Sequence, residues 1–449
     1  MARLFGTDGV RGEANTKLPP ELAYRMGRAA TLYFGQHSDG APQILIGRDT
    51  RISGEMLEAA LVAGICSAGG HAITAGIVPT PAVAYLARKL HAAAGIVISA
   101  SHNPFHDNGI KFFGGNGYKL PYKVEDEIEQ IVRDIEASKF FQRPTGIDVG
   151  RIERRQNLLE DYIGFVMSTT SERFDGMKIV LDCANGAAYK AMPAVLERLG
   201  AELILIGDKP DGININDNCG STHTENLRQA VLKNHADIGI AHDGDADRCL
   251  CIDERGDIID GDHIMIICAK LMLKVGALPD KTVVTTVMSN IGFRQALTEL
   301  GLTCETTAVG DRYVLENMLA NNHRLGGEQS GHIIFSDYST TGDGLITALQ
   351  VLTAMKKFNA AASDLNALMT TYPQVLLNVR VHNKEACQKS EAIKVAVAEG
   401  EAELGTSGRI LVRASGTEPL IRVMAEGPDK NQLIRICNKI AAEVEKCDG

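Results

Sequence analysis

The stretch QILIGRDTRISGEMLEAALVAG, residues 43–64, combines an apolar β-branched run, a polar turn and a helical pattern. The same order returns in KIVLDCANGAAYKAMPAVLERLG at 178–200 and in KTVVTTVMSNIGFRQALTELG at 281–301. Strands that alternate with helices of about 10–15 residues are typical of βαβ units and of largely parallel sheets. The threefold recurrence therefore predicts three similar α/β domains, each built on one copy of this unit.

Each copy of the unit ends in a strand, a polar loop and a further strand. The three closing segments are GIVISASHNPFHDNGIKFF at 95–113, DIGIAHDGDADRCLCID at 237–253 and RLGGEQSGHIIFSD at 324–337. Right-handed crossovers place helices on both faces of each sheet and equivalent loops at the same edge. We therefore expect one loop of functional character from each α/β domain.

The last part of the chain follows a different pattern. QVLLNVRV reads as a strand, residues 384–404 as one helix, RILVRASGTEPLIRVMAEG as two strands around a turn, and the end from about Asp429 as a long helix. This order predicts a smaller C-terminal α+β domain. We predict four domains, with mixed, largely parallel sheets in the first three, at residues 1–155, 156–256, 257–368 and 369–449.

Composition limits the class of protein. Of 449 residues, 45% are hydrophobic and 23% charged, which is typical of a soluble globular chain. The formal net charge of −10 argues against a nucleic-acid partner, because binding by counterion release requires clustered basic residues. The ten cysteines are scattered without a CxxC pair, and we find no signal peptide and no apolar run of about 20 residues. We expect a cytoplasmic protein without a membrane partner.

The loop DGDADR, residues 243–248, places three aspartates at alternate positions between two apolar runs. Such charge in one turn is costly unless a hard cation neutralises it, and carboxylate oxygens suit Mg²⁺ or Ca²⁺. An EF-hand is excluded because Arg248 stands where that loop requires glycine, and because the flanks are strand-like. We predict Asp243, Asp245 and Asp247 as metal ligands, with a solvated acidic turn as the alternative.

The loop SASHNP, residues 99–104, presents Ser101 and His102 directly after a strand. An acyl-transfer nucleophile is one interpretation, but the chain has no G-x-S-x-G and returns into a strand. An ordinary serine- or asparagine-capped turn is another. If the equivalent loops meet, Ser101 faces the predicted metal site, and a serine oxygen beside a divalent cation suits phosphoryl transfer. In that case His102 supports the serine and is not its base.

The loop GGEQSGH offers Glu328, Ser330 and His332. A carboxylate and a hydroxyl can hydrogen-bond sugar hydroxyls, and the imidazole can donate or accept a proton. The alternative is a glycine turn with incidental polar residues. This loop is therefore a candidate for sugar binding.

The segment RASGTEPLIR combines hydroxyls, exposed backbone N–H groups and two guanidinium forks. This combination matches a phosphate dianion, with a plain β-turn between surface arginines as the alternative. The residues concerned are Arg413, Ser415, Gly416, Thr417 and Arg422. Nearer the N-terminus, Arg11 and Arg48 are further cations for an anionic site, or else lie in exposed turns.

Five motifs in this order, FGTDGVRG, SASHNP, DGDADR, GEQSGH and RASGTEP, span the whole chain. Together they resemble the signatures of the α-D-phosphohexomutase superfamily. The resemblance implies four domains around a central cleft. It also implies that Ser101 is carried phosphorylated, and that one Mg²⁺ per chain binds Asp243, Asp245, Asp247 and the phosphoserine.

The activity implied by the resemblance is interconversion of glucosamine 6-phosphate and glucosamine 1-phosphate. Phosphorylated Ser101 gives its phosphoryl group to the sugar, and the resulting 1,6-bisphosphate of the hexosamine or hexose turns round and returns the other phosphate. This role implies a supply of UDP-N-acetylglucosamine for peptidoglycan precursors, and a homodimer is possible. The alternatives are a mutase for mannose or glucose phosphates and, less favoured, a phosphoserine-dependent sugar phosphatase.

Roles for individual side chains follow from this mechanism. Lys111 and His332 are candidates for acid–base work or charge neutralisation, and Arg248 for neutralising the phosphoryl group. Sugar hydroxyls are assigned to Glu328 and Ser330. The phosphate that is not reacting is assigned to the C-terminal segment, with Arg413, Ser415, Gly416, Thr417 and Arg422.

Overall fold

The computed structural model describes residues 3–6, 8–37, 40–138, 141, 143–155, 157–414 and 419–448. The chain divides into two compact units. One contains residues 1–288 and 302–368 and holds three mixed sheets, and the other contains residues 289–301 and 369–449 and holds an antiparallel sheet. The predicted fold class, three similar α/β domains followed by an α+β domain, is confirmed.

The first sheet has six strands in the order β1-β5-β4-β2-β3-β6. They are β1 (Val10–Glu13), β2 (Gln43–Arg48), β3 (His71–Ile77), β4 (Ala94–Ile98), β5 (Asp107–Gly114) and β6 (Ile152–Arg154). Its helices are α1 (Pro20–Gly35), α2 (Gly54–Ser67), α3 (Thr80–Lys89) and α4 (Tyr122–Glu136). Strand β4 is buried at every residue because α1 and α2 cover one face and α3 the other, which explains its unbroken apolar run.

The second sheet has five strands in the order β11-β10-β9-β7-β8. They are β7 (Lys178–Asp182), β8 (Glu202–Ile206), β9 (Ile238–His242), β10 (Cys249–Asp253) and β11 (Ile258–Ile259). The helices of this part of the chain are α5 (Leu158–Met167), α6 (Ala188–Arg198) and α7 (Glu225–Asn234). Strands β7, β8 and β9 are parallel, whereas β10 is antiparallel to β9 and to β11.

The third sheet has four strands in the order β13-β12-β14-β15. They are β12 (Thr282–Thr286), β13 (Thr303–Thr307), β14 (Leu325–Gly327) and β15 (Ile333–Phe335). The helices along this stretch are α8 (Gly261–Val275), α9 (Ile291–Glu299), α10 (Asp311–Asn321), α11 (Gly344–Phe358) and α12 (Ala362–Asn366). Helix α9 belongs to the second compact unit, while the strands belong to the first.

The three α/β sheets share one plan. In each, the third of the parallel strands in chain order (β4, β9 or β14) is joined by a polar loop to an antiparallel neighbour (β5, β10 or β15). These joints are the loops SASHNP, DGDADR and GEQSGH. The repeat therefore places each chemistry-bearing loop at the carboxyl end of an equivalent strand, where ligands bind in open α/β sheets.

The C-terminal sheet is antiparallel, in the order β16-β18-β17. Its strands are β16 (Gln374–Arg380), β17 (Arg409–Ala414) and β18 (Leu420–Glu426), and its helices are α13 (Lys384–Lys389), α14 (Glu391–Leu404) and α15 (Lys430–Asp448). The prediction of one helix over 384–404 is wrong. Ser390 has an extended backbone, with φ −62° and ψ 122°, and serves as the N-cap of α14, so that the helix restarts there.

Two further observations concern the chain as a whole. All ten cysteines are free thiols, as their scattered spacing predicts. Within the described ranges, no helix has both the length and the apolar character needed to cross a bilayer.

Candidate active site

Ser101 lies at the start of the loop between β4 and β5 and is 2% exposed. Its hydroxyl donates a hydrogen bond to Asp243 Oδ2 at 2.6 Å, so the first and second α/β domains meet at this serine. The Ser101 backbone has φ +53°, a left-handed conformation that is uncommon outside glycine. Such a residue persists only where its surroundings impose it, which is typical of functional sites.

A buried guanidinium that the sequence analysis missed holds this loop. Arg51, fully buried in the turn after β2, uses all five of its N–H donors. Its Nε donates to Asp49 Oδ2 at 2.8 Å. Its two terminal nitrogens donate to loop carbonyls, those of Ser101, Asn103, Pro104 and Asp107. Arg48, the cation that the sequence analysis named instead, pairs with Glu55 and Glu58 and does not line the cavity described below.

The alignment of the three repeats contains the signal that identifies this turn. Asp49, Asp182 and Thr286 stand at equivalent positions, where the first strand of each repeat ends. Each side chain accepts a hydrogen bond from the backbone N–H two residues later, at 3.0, 2.9 and 3.2 Å respectively. A polar residue with this local bond is typical of a tight turn. The alignment does not identify the groups that Arg51 binds, because these backbone carbonyls lie about fifty residues further along the chain.

The three aspartates of the DGDADR loop lie together and are buried. One oxygen atom from each of the three carboxylates lies within 4.8 Å of the other two. Asp245 Oδ1 and Asp247 Oδ1 are buried and have no hydrogen-bond partner among the described residues. Buried carboxylate oxygens without a partner are costly, and a hard divalent cation satisfies them. The residues present therefore fit a magnesium-type ion.

The ionisation of Asp243 reflects this crowding. Burial, together with the Asp247 and Asp245 carboxylates, raises the pKa of Asp243 to about 7. Burial acts in the same direction on Asp247, but His332, Lys111 and Arg248 outweigh it and lower the pKa of that carboxyl. Repulsion in the triad is thus relieved on one side by fixed cations, and a bound cation would relieve it on the other.

Lys111 and Arg11 lie beside the triad and are tied together by Asp8. Lys111 Nζ is 2.8 Å from Asp245 Oδ2 and 3.1 Å from Asp8 Oδ2. Although burial alone would lower the pKa of Lys111, Asp245 and Asp8 raise it above the usual lysine range. Lys111 is therefore protonated at neutral pH and serves as a fixed positive charge. Arg11, on β1, pairs with Asp8 and donates to the Ala100 carbonyl. Of the two interpretations given for Arg11, the exposed turn does not apply, because the residue lies on a strand.

His332 lies between two acids, Asp247 of the metal loop and Asp311 at the start of α10. Its Nδ1 is 3.5 Å from Asp247 Oδ2 and its Nε2 is 3.5 Å from Asp311 Oδ2. Burial lowers the pKa of His332, but Asp247 and Asp311 outweigh that effect and raise it to about 9. In the neutral ring, the Gly342 N–H donates to Nε2 at 3.1 Å, which leaves the ring proton on Nδ1, facing Asp247. His332 is thus able to hold a proton at the metal loop.

His102 and Arg248 complete the surroundings of Ser101. His102 Nδ1 lies 3.4 Å from the Ser101 hydroxyl, longer than the 2.6 Å bond to Asp243. Burial, Arg248 and Arg11 lower the pKa of His102 to about 4, so the ring is neutral at pH 7. Arg248 Nε is 3.9 Å from both Asp243 Oδ2 and Asp247 Oδ1. Asp243 is therefore the nearer of the two partners of the Ser101 hydroxyl.

A cavity of about 470 Å³ opens onto these groups, within the size range of small-molecule sites. Glu328 lines it, and its Oε1 accepts a hydrogen bond from the Gly310 N–H at 3.1 Å. Ser330 Oγ is buried and has no hydrogen-bond partner within the described part of the chain. Gln329 instead donates to Asp260 Oδ2, at the N-cap of α8. The lining residues are Arg3, Leu4, Gly6, Asp8, Gly9, Arg11, Ser101, His102, Asp247, Arg248, Val309, Gly310, Asp311, Glu328 and His332.

In the second compact unit, two of the predicted phosphate-binding residues are neighbours. Arg413 on β17 and Arg422 on β18 are directly opposite each other in the antiparallel ladder. Burial lowers the pKa of Arg413, and the like charge of Arg422 lowers it further. An anion between them would offset this repulsion. The other predicted residues of the segment, Ser415, Gly416 and Thr417, lie outside the described residues.

Comparison with known families matches four consecutive segments of the chain. They correspond to the phosphoglucomutase/phosphomannomutase α/β/α domains I, II and III at 2–139, 160–256 and 260–372, and to the C-terminal domain at 376–443. The chain belongs to the phosphoglucomutase/phosphomannomutase family. The superfamily predicted from the five motifs is confirmed.

Several curated relatives are similar to this chain over their full length. The phosphoglucosamine mutase of Brevibacillus brevis is 52% identical over 447 residues, which cover 99% of each chain. The phosphoglucosamine mutase of Pelotomaculum thermopropionicum is 54% identical over 448 residues, which cover 100% of each chain. Within the family, the chain is therefore similar over its whole length to phosphoglucosamine mutases.

Solved structures share the fold at much lower identity. A phosphoglucomutase/phosphomannomutase family protein from Burkholderia thailandensis superposes with a TM-score of 0.82 at 23% identity, covering 99% of this chain and 97% of that one. The Aspergillus fumigatus N-acetylphosphoglucosamine mutase, solved in complex with GlcNAc-6P and magnesium, gives a TM-score of 0.70 at 17% identity, with 99% and 96% coverage.

Proposed function

We propose that this chain interconverts glucosamine 6-phosphate and glucosamine 1-phosphate through a phosphorylated Ser101 and a 1,6-bisphosphate intermediate. The observation that carries the proposal is the 2.6 Å hydrogen bond from the Ser101 hydroxyl to Asp243, at the wall of the cavity and beside the acidic triad. The names of the full-length relatives support the choice of substrate.

One Mg²⁺ per chain is held by Asp243, Asp245, Asp247 and the phosphate on Ser101. When bound, the ion offsets negative charge on the phosphoryl group as it moves. The two carboxylate oxygens without a partner, on Asp245 and Asp247, support this assignment. The magnesium complex of the Aspergillus fumigatus relative is consistent with it.

Fixed cations stabilise the phosphoserine. A phosphoserine carries a charge of about −1.5 to −2, which a buried site accommodates only among positive groups. Arg248 and Arg11 supply permanent charge at the wall of the cavity, and Lys111 supplies it beside Asp245 of the triad. His332 carries a proton near the reacting groups, and we assign it the acid–base role, while Lys111 acts through its charge alone.

The transfer exchanges one phosphorus–oxygen bond for another. The free hydroxyl of the sugar attacks the phosphorus and loses its proton, the bond to Ser101 Oγ breaks, and Ser101 regains a proton. The hydrogen bond from the Ser101 hydroxyl to Asp243 in this structure matches the serine between the two transfers. The 1,6-bisphosphate then reverses its orientation and returns its other phosphate to Ser101.

Binding residues must hold the sugar in both orientations. Glu328, fixed by the Gly310 N–H, and Ser330 bind hydroxyls that both orientations present. We assign the phosphate that is not reacting to the C-terminal segment, and the repulsion between Arg413 and Arg422 supports an anion there. Ser415, Gly416 and Thr417 complete that assignment. We also propose that the enzyme acts in the cytoplasm, in the supply of UDP-N-acetylglucosamine for peptidoglycan precursors, and that a homodimer forms.

The deciding experiment is a coupled assay with the 6-phosphates of glucosamine, glucose and mannose. We expect the highest kcat/KM with glucosamine 6-phosphate, a mass increase of one phosphate on a fraction of molecules, and its location on Ser101. Ser101→Ala should abolish nearly all turnover, whereas the exposed Ser168→Ala should retain parental activity. A better glucose or mannose substrate would refute the choice of sugar. Inorganic phosphate released faster than isomer would identify a phosphatase.

A further inference from the structure

Two carbonyl oxygens of the serine loop are each held from two sides. The Ser101 carbonyl accepts hydrogen bonds from Arg51 Nη2 at 2.9 Å and from Asn216 Nδ2 at 2.9 Å. The Asn103 carbonyl accepts from the same two nitrogens, at 2.8 and 3.1 Å. Arg51 belongs to the first α/β domain and Asn216 to the second. The loop backbone is thus fixed jointly by two domains.

The arginine side of this arrangement is saturated. The Arg51 Nε is occupied by Asp49, and the four N–H groups on its terminal nitrogens all reach loop carbonyls. The planar fork is therefore unable to rotate without losing several bonds. A lysine, with three donors and no fork, cannot replace the set.

The asparagine side is rigid for a different reason. Asn216 has a left-handed backbone, with φ +59°, its N–H donates to the Ala184 carbonyl at 2.9 Å, and its side chain is buried. Gly244 of the metal loop lies close to the Ser101 carbonyl and to the Asn216 side chain. A Cβ at Gly244 would be 2.6 Å from that carbonyl oxygen and 2.8 Å from Asn216 Nδ2. The clamp therefore adjoins the acidic triad directly.

We infer that Arg51 and Asn216 form a clamp, here called the carbonyl clamp, that positions Ser101 for phosphoryl transfer. The clamp acts on the carbonyls of Ser101 and Asn103 and touches neither the hydroxyl nor the substrate, so both are positioning residues. The inference rests on the proposed function, in which Ser101 carries the phosphate.

The physical reason lies in the strained backbone of Ser101. A left-handed backbone is unfavourable for serine, and without the clamp the loop relaxes toward common conformations. A relaxed loop moves the phosphoserine away from the line of attack of the sugar hydroxyl. A misplacement of about 1 Å is enough to lower a rate about a hundredfold. Binding of the sugar depends on other residues and should change little.

The matched pair of variants is Asn216→Ala and Asn218→Ala. Both residues are asparagines with left-handed backbones in the same turn, but the Asn218 side chain is exposed and, among the described residues, bonds only to Asp217. Both substitutions therefore carry the same backbone cost. We expect Asn216→Ala to lower kcat about tenfold or more with KM within about twofold, and Asn218→Ala to match the parent.

A second readout does not depend on how much enzyme is folded. When the phosphoserine is misplaced, water competes with the sugar: its oxygen attacks the phosphorus, the bond to Ser101 Oγ breaks, Ser101 regains a proton and inorganic phosphate leaves. The ratio of phosphate released to isomer formed should therefore rise in Asn216→Ala and in Arg51→Lys. A merely structural role would lower both rates equally and leave this ratio unchanged.

The outcomes are distinguishable from failure of the proposed function. A parent enzyme without phosphate on Ser101, or an active Ser101→Ala variant, would refute the proposed function itself. If the parent behaves as proposed but Asn216→Ala resembles Asn218→Ala in kcat and in the phosphate ratio, the carbonyl clamp is refuted. Should Arg51→Lys fail to fold, the Asn216 pair still decides the question.

Discussion

Gly244→Ala tests how closely the serine loop and the metal loop must approach. A Cβ at Gly244 would lie 2.6 Å from the Ser101 carbonyl oxygen and 2.8 Å from Ile215 Cδ1. Ordinary contact begins at 3.4 Å, so the carbonyl must retreat by about 0.8 Å. The Gly244 backbone is not left-handed, so alanine adds no backbone strain and the steric effect stands alone.

This displacement sets the expected magnitude. Overpacking of this kind costs about 1–3 kcal/mol of folding free energy. A shift of nearly 1 Å in the serine loop should lower kcat about 10- to 100-fold. The assay is steady-state isomerisation of glucosamine 6-phosphate, with Tm measured in parallel and the phosphorylated fraction measured by intact mass.

The control is Gly164→Ala in helix α5. A Cβ at Gly164 meets nothing within 4 Å beyond the backbone of its own helix and its chain neighbours, and alanine is favoured over glycine in a helix by about 0.5–1 kcal/mol. We expect parental kcat and a slightly higher Tm. If Gly244→Ala retained kcat within twofold and an unchanged Tm, the close approach of the two loops would not matter and the steric reasoning would be wrong.

Three further predictions concern the metal, the phosphate and pH. Without Mg²⁺, Asp243→Asn should be at least as stable as the parent because it removes repulsion in the triad. Mg²⁺ at a hundred times Kd should stabilise the parent by about 2.7 kcal/mol, and the resulting rise in Tm should be smaller in Asp243→Asn; an equal rise in both would refute the ligand assignment. Arg422→Ala should raise KM about 10- to 100-fold with a smaller change in kcat, since a charged hydrogen bond is worth about 1.5–3 kcal/mol; a pure kcat loss would contradict its binding role. Burial raises the pKa of Asp182 to about 6, so its contribution favours the folded state below the unfolded pKa of about 3.9 and is lost as pH rises through 6. The free energy of unfolding of the parent, relative to Asp182→Asn, should therefore fall by about 1 kcal/mol between pH 5 and pH 7.5 in urea titrations, and no change would refute the shift.

The fold was predictable because its information is local and repeated. A strand, a turn and a helix occur three times at similar spacing, and the apolar run of β4 records burial on both faces. Errors arose where local patterns were ambiguous. Ser390 interrupts a helical pattern that composition alone would continue. No local pattern indicates strand β1, whose partner β5 lies about a hundred residues away.

The candidate site was predictable in part for the same reason. The three aspartates are near neighbours in sequence, and Ser101 follows a strand equivalent to theirs. Arg51 was missed because a buried arginine and an exposed one have the same appearance in a sequence. The role of Arg51 depends on backbone carbonyls that folding brings next to it. Every residue has such a carbonyl, so the sequence does not mark the ones that Arg51 binds.

The sequence by itself determined the repeated α/β architecture, the acidic triad and the family, since each rests on residue types at short, fixed spacing. Only the tertiary structure decided that Ser101 meets Asp243 across 142 positions, that Asn216 reaches the loop across 115, and that Lys111 is held protonated by Asp245 and Asp8. Such contacts depend on how crossovers bring separate strand ends together. Their energies depend on burial, which strengthens each charge and each hydrogen bond only after the chain has folded.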